Sequence, residues 1–214
     1  MKHYDLHNHT ESSHDSEINP RVLVDSAIKS GLDGIAITNH GTVSDIEEAR
    51  DYADGRLEVI PSAEVTSEDY GDVLCLYIDR VPDHDGSAKS IITETHNNDG
   101  VAILAHPYAY RTVDFRGAPN TIIDIADAIE TVNARNIFER LNRKAEDLAE
   151  KHSKPCVGGS DVHFPFESGR ARTLIPDDLN VREAISENKT VVKGSGGNIS
   201  SHIARLASGI GLKI

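Results

Sequence analysis

The chain has no tryptophan, one methionine, two cysteines and only four phenylalanines in 214 residues. Its core must therefore be built from Ile, Val, Leu and Ala. Cys75 and Cys156 lie far apart inside apolar, strand-like runs. They read as small buried hydrophobes in a reducing compartment. No run approaches eighteen apolar residues, and the N-terminus lacks the charged-then-apolar pattern of a secretion signal. A soluble, cytoplasmic protein without a membrane partner is the expectation. Positive charge is also scarce: 22 Lys+Arg stand against 35 Asp+Glu, a formal charge of −13. Such a surface repels phosphate backbones, so long nucleic acid is not an expected partner. Part of the acid can instead hold metal ions.

What is present is alternation. Asn19-Pro20 opens a helix that Gly31 closes, and Ser44-Asp-Ile-Glu47 has the form of a capping box for a helix to about Ala53. Further helices are expected at about 87–97, 121–126, 137–151 and 181–188. Short apolar strands fall between them, at 34–38, 57–61, 72–78, 101–105, 128–132, 156–159 and 171–175; the 72–78 strand is a candidate antiparallel return. Apolar strands alternating with helices argue a parallel α/β sheet, and about seven such units argue a closed barrel. One domain is expected over residues 1–194, with 195–214 a tail that carries a short helix near 200–208.

The chemistry follows the strand ends. His7 and His9, His40, Glu64, His106, and Asp161 with His163 each follow the apolar run of a different strand. In a parallel barrel those ends share one rim, where reactive groups gather. Imidazoles and carboxylates without paired thiols suit two or three divalent ions, Zn, Mn or Fe, with Mg a further candidate. Such ions polarise a phosphoryl oxygen and activate a water.

These residues resemble the PHP (polymerase and histidinol phosphatase) domain family of metal-dependent phosphoesterases, a distorted (β/α)7 barrel. The motifs that carry the likeness are His7-Asn-His9 with Asp15 behind it, Thr38-Asn-His40, Glu64, Ala105-His106-Pro107 and Gly159-Ser-Asp161-Val-His163. The resemblance implies that His7, His9, Glu64 and Asp161 hold one ion. It implies that Glu64 bridges to a second, shared with His106, and that Asp15, His40 and His163 hold a third. Glu64, His106, Asp161 and His163 would then stand at the reacting centre. Two positions depart from the family. Asp72 stands where His is usual and is expected to remain a ligand. Asn39 stands where Asp is frequent and is expected to orient His40.

The resemblance implies hydrolysis of a phosphate ester, with a small phosphorylated metabolite or nucleotide as substrate. Arg170 and Arg111 are candidate phosphate contacts, with Arg116 and Arg172 nearby in sequence. Asn133, ending a strand, is a candidate for a polar contact to substrate. His14 reads as a loop histidine, and Tyr108 and Tyr110 either stack on a substrate ring or pack beneath their loop. Two alternatives stand beside this reading: an exonuclease-like phosphodiesterase acting on oligonucleotide ends, and a non-catalytic subunit of an RNA-processing complex. Amidohydrolysis ranks below both, because no lysine occupies a strand end.

Overall fold

The computed structural model describes residues 1–109 and 120–196. Among them run β1 (Lys2–Asn8), α1 (Pro20–Lys29), β2 (Gly34–Ile37), α2 (Ile46–Ala53), β3 (Glu58–Ser67), β4 (Gly71–Leu76), α3 (Ala88–Asn97), β5 (Val101–Leu104), α4 (Asn120–Ile125), β6 (Ala128–Asn133), α5 (Glu139–His152), β7 (Cys156–Gly159), β8 (Ala171–Ile175), α6 (Val181–Ser186) and β9 (Val191–Gly194). Arg111, Arg116, Tyr110 and the expected helix near 200–208 lie outside the described residues.

The strands join in the order β7-β6-β5-β4-β3-β2-β1-β8-β9. β1, β2 and β3 are mutually parallel, as are β5, β6 and β7. The sheet is mixed rather than all-parallel, because β4 runs antiparallel to both β3 and β5, and β8 antiparallel to β1 and β9. The tight return Glu68–Tyr70 leaves no room for a crossover helix, so β4 must reverse. The sheet curls into a nearly closed barrel. At the seam, His9 N–H donates to Val162 O (3.0 Å), and the Gly158 N–H donates to Thr173 Oγ1 (2.9 Å).

Apolar packing divides by face. Tyr4, Leu6, Ala36, Ile60, Leu74, Leu76, Ile103 and Val157 fill the barrel, and α6 closes its floor with Val181, Ala184 and Ile185. α1 and α2 cover one outer face, and α3 with α4 covers another. α1 starts as expected: Asn19 accepts the Arg21 N–H and Pro20 opens the first turn. The expected capping box at Ser44–Glu47 does not form. Asp45 takes the N-cap position of α2 without bonding to it, and its carboxylate accepts from Thr10 Oγ1 (2.7 Å) and Ser12 N (3.2 Å) instead. α5 begins at Glu139, leaving Phe138 outside the helix and exposed.

Inward-facing rows change character as they climb. Ile60, Ser62 and Glu64 share one face of β3; Leu76, Leu74 and Asp72 share one of β4; Ala128 and Glu130 share one of β6. Each row is apolar at the floor and acidic at the mouth. On β1 the register slips by one residue, Asp5 pairing with Ile35 and Asn8 with Ile37. That bulge inverts the alternation, so His7 and His9 face inward above Leu6.

β7 reaches β1 only because Gly159 lacks a side chain. A Cβ there would collide with His7 Cβ and lie 2.6 Å from Glu130 Oε1. At Gly158 the nearest obstacle is Val192 Cγ1 at 2.8 Å, the tip of a partly exposed side chain. Gly159→Ala should therefore cost about 2–3 kcal/mol, the upper range for overpacking, and Gly158→Ala clearly less. Urea unfolding midpoints check the order; equal losses would place the tight contact elsewhere.

Candidate metal centre

Glu64 sits inside β3, not beyond its end, and is 1% exposed. Its Oε2 lies 3.3 Å from His7 Nε2, 3.4 Å from His9 Nε2 and 3.3 Å from His40 Nδ1. Its Oε1 lies 3.2 Å from His106 Nε2. The two oxygens thus face different imidazoles, as a bridging carboxylate must. Asp161 Oδ1 is 3.9 Å from His7 Nε2 and 3.5 Å from His9 Nε2. A third group adjoins these: Asp15 Oδ2 is 2.7 Å from His163 Nε2 and 3.6 Å from His40 Nε2. Asp72 stands at the edge, its Oδ2 4.0 Å from His106 Nε2 and its Oδ1 accepting from Thr66 Oγ1 at 2.6 Å. All nine residues named as ligands from the sequence meet at one mouth.

The donors fit a cation. Bonds of about 2.0–2.2 Å in a tetrahedral shell separate ligand atoms by about 3.3–3.6 Å, close to the spacings around Glu64 and Asp161. His9 Nε2 is buried and has no hydrogen-bond partner, while its Nδ1 meets Ser13 Oγ at 3.3 Å. A buried polar atom left bare within a ring of donors is what a missing ligand produces.

Burial and charge set the protonation. Burial first, with the charges of His163 and His7 adding to it, holds His9 neutral, down to about 4. At His7 burial opposes charge too, but Glu130, Glu64 and Asp161 outweigh it and raise the imidazole well above its usual range. His106 rises to about 9 against burial, through Glu64 first. Glu64 and Asp161, although buried, are held well below the usual carboxylate range, with His7 the leading cause in both. At Asp72 burial and the Glu64 charge raise the carboxyl.

Several supporting groups escaped sequence reading. Glu130 is buried; His7 Nδ1–H donates to its Oε1 (3.0 Å) and the His106 backbone N–H to its Oε2 (2.8 Å). It fixes the His7 tautomer with Nε2 turned to the cage. His106 and Asp161 both take left-handed backbone, φ 24° and 54°, which β-carbon residues adopt only when held there. Arg135, not one of the expected arginines, reaches this end of the cage: Nη1 donates to Asp161 O (3.5 Å) and lies 3.7 Å from Glu167 Oε2. A carboxylate inside a strand buried on both faces was the signal for Glu130; no local pattern marks Arg135.

The remaining expected residues sit as follows. Asn133 is buried, and its amide donates to Glu130 (3.2 Å) and Asp161 (3.3 Å), so it positions these carboxylates. Asn39 does not bond to His40; its Oδ1 accepts from Thr10 N (2.8 Å) and its Nδ2 donates to Thr10 Oγ1 (2.6 Å). The His40 N–H goes to Ser13 Oγ instead. Arg170 packs over the Phe166 ring at 5.2 Å, and Arg172 donates to Gly169 O (2.9 Å) and Ser30 O (3.3 Å).

Known proteins place this geometry. A two-domain protein from Bacteroides vulgatus containing a predicted PHP-like metal-dependent phosphoesterase aligns with a TM-score of 0.76 at 21% identity, over 91% of this chain and 65% of that one. The chain thus spans under two thirds of that protein's length. PsfC from Pseudomonas syringae aligns at 0.69 and 19% identity, over 97% and 98% of the two chains. An amidohydrolase from Chromobacterium violaceum, with bound sulfate and no metal, aligns at 0.65 and 16%, over 88% and 97%. These are likenesses of fold. No curated protein matches the chain. The sequence profile of the PHP domain matches residues 5–105, and that of the PHP-associated region matches residues 139–190. With both profiles falling on the strands that build the cage, the chain belongs to the PHP domain family.

Proposed function

We propose that this protein hydrolyses a phosphate ester of a small metabolite or nucleotide at a multinuclear His/Asp/Glu centre. The observation that carries the reading is Glu64, one buried carboxylate with its two oxygens turned to separate sets of imidazoles. His7, His9, Glu64 and Asp161 would hold one divalent ion, Glu64, His106 and Asp72 a second, and Asp15, His40 and His163 a third. Zn, Mn or Fe suits the mixed donors, and Mg is admitted by the oxygen-rich second set. Ions held there supply Lewis-acid polarisation of a phosphoryl oxygen and a water that ionises near neutral pH. The chain's part is to fix the donors: Glu130 locks His7 and His106, Asn133 aligns Asp161, and Arg135 tethers the Asp161 backbone.

The charge of −13 favours a small phosphorylated substrate over a long nucleic acid. Unpaired Cys75 and Cys156 agree with a reducing, cytoplasmic setting. Among the described residues no helix is long and apolar enough to cross a membrane.

His9→Ala and Asp161→Ala should each lower hydrolysis of an aryl phosphate by at least about a hundredfold, the upper end of what the loss of a group merely supporting a ligand costs, with the circular dichroism spectrum retained. Full rates in both variants would remove these residues from the centre. Asp72→His should shift the Mn-to-Zn activity ratio toward zinc; an unchanged ratio would mean that Asp72 does not ligate.

Without cations His7 and His106 carry protons that a ligand must lose. Loading should therefore release about one proton or more per chain at neutral pH, measured by calorimetry in buffers of different ionisation heat. The sign for stability follows. His106 is raised from 6.5 to about 9 in the fold, so it stabilises the metal-free protein fully below 6.5 and loses that effect as pH rises through about 9. The metal-free Tm should fall over that window, and the loaded Tm should not.

A further inference from the structure

The outer group of Asp15, His40 and His163 has a third imidazole beside it that has no part in the reading above. His14 and Asp15 are the central residues of a turn in which Ser16 N–H donates to Ser13 O (3.3 Å). The turn is anchored at its start: Ser13 N–H donates to Thr10 O (2.9 Å), while Ser13 Oγ donates to Asp15 Oδ1 (3.1 Å) and accepts from His40 N (3.3 Å). Both central side chains are thereby sent into one corner. Donor atoms of His14, Asp15 and His40 all lie within 4.8 Å of one another. The His14 and His40 rings stand 4.7 Å apart at 42°. His9 and His163 are buried, whereas His14 is exposed. It stands on the solvent side of the group.

Three protein ligands leave a divalent ion a position open to a reacting oxygen, and a fourth closes it. We propose that His14 is an exchangeable fourth ligand to the outer ion, coordinated in the resting protein and displaced by a phosphoryl oxygen of the arriving substrate. This rests on the metal-centre reading and adds self-occlusion to it. The anchored turn keeps the imidazole within reach, and its exposure lets it leave by side-chain rotation alone, with no movement of the buried donors.

The test titrates cobalt(II) into the metal-free full chain, His14→Ala and His14→Gln, reading stoichiometry by equilibrium dialysis and ligand identity by paramagnetic proton NMR. Both variants should bind the weakest ion at least about tenfold less tightly and lose one shifted imidazole N–H resonance, with tighter ions unaffected. Inorganic phosphate added to the loaded wild type should remove that same resonance, and should bind more tightly to His14→Ala. Unchanged affinity and an unchanged resonance count in the variants would overturn the role of His14 while leaving the centre standing. A resonance that persists under saturating phosphate would overturn displacement. Failure of all three proteins to bind stoichiometric cobalt would overturn the metal reading itself.

Discussion

The structure depends on a concentration of charge in a place from which water is excluded. Glu64 and Glu130 are 1% exposed, and Asp161, Asp72 and Asp15 stand close by at the mouth. A buried carboxylate without a counter-charge costs several kcal/mol, so these two, with three partly buried ones beside them, call for cations. In the metal-free molecule the protons on His7 and His106 serve as those cations. This is a substitute arrangement: the neutral His9 has a ring nitrogen aimed at the same space and bonded to nothing. Divalent ions would satisfy these groups at once, which a set of shared protons does not.

That demand accounts for local features that would otherwise count as defects. The β1 bulge weakens a ladder in order to turn His7 and His9 inward. The left-handed backbones of His106 and Asp161 are held by Glu130 and Arg135, the first tied in turn to His7 on β1 and the second to Glu167. Asp5, fully buried on β1, accepts from Ser160 N (2.8 Å) and Gly169 N (2.9 Å), lashing the loop that carries Asp161 and His163 to the strand that carries His7 and His9. Burial raises Asp5 to about 6 even with those donors. Strain and buried charge are tolerated here because the seam between β7 and β1 must bring four ligands from opposite ends of the chain into one cage.

Much of this was legible in the sequence because ligands and apolar runs share a position in each unit. His40, His106 and His163 follow strands whose apolar character is unbroken, so their placement at one rim could be read without coordinates. What escaped was set by contacts distant in sequence. Glu130 was hidden in a run taken for core, because inward and outward residues of a doubly buried strand look alike. Arg135 and Glu167 matter through a pairing across two loops. The capping box at Ser44 failed because Asp45 found better partners in Thr10 and Ser12 than in its own helix, a tertiary override of a local pattern. The reversed β4 was visible only as a candidate, since an apolar strand carries no mark of its direction.

The two departures from the family pattern have different physical consequences. At position 39 an amide does what a carboxylate could not: it accepts from Thr10 N and also donates to Thr10 Oγ1 and Ser44 O. An ionised Asp would set its oxygen against two acceptors there, so Asn39 belongs to the anchoring of the Thr10–Ser16 turn and hence to the placing of Asp15. At position 72 the exchange acts on the cage itself. Aspartate in place of an imidazole puts a second negative oxygen beside Glu64, and burial together with their repulsion raises the Asp72 carboxyl. Thr66 donates to one oxygen and leaves the other facing His106. On the proposed reading, a cation entering between Glu64, Asp72 and His106 would relieve that repulsion and meet two oxygens for one nitrogen, a donor set that favours harder ions than an imidazole-rich site would.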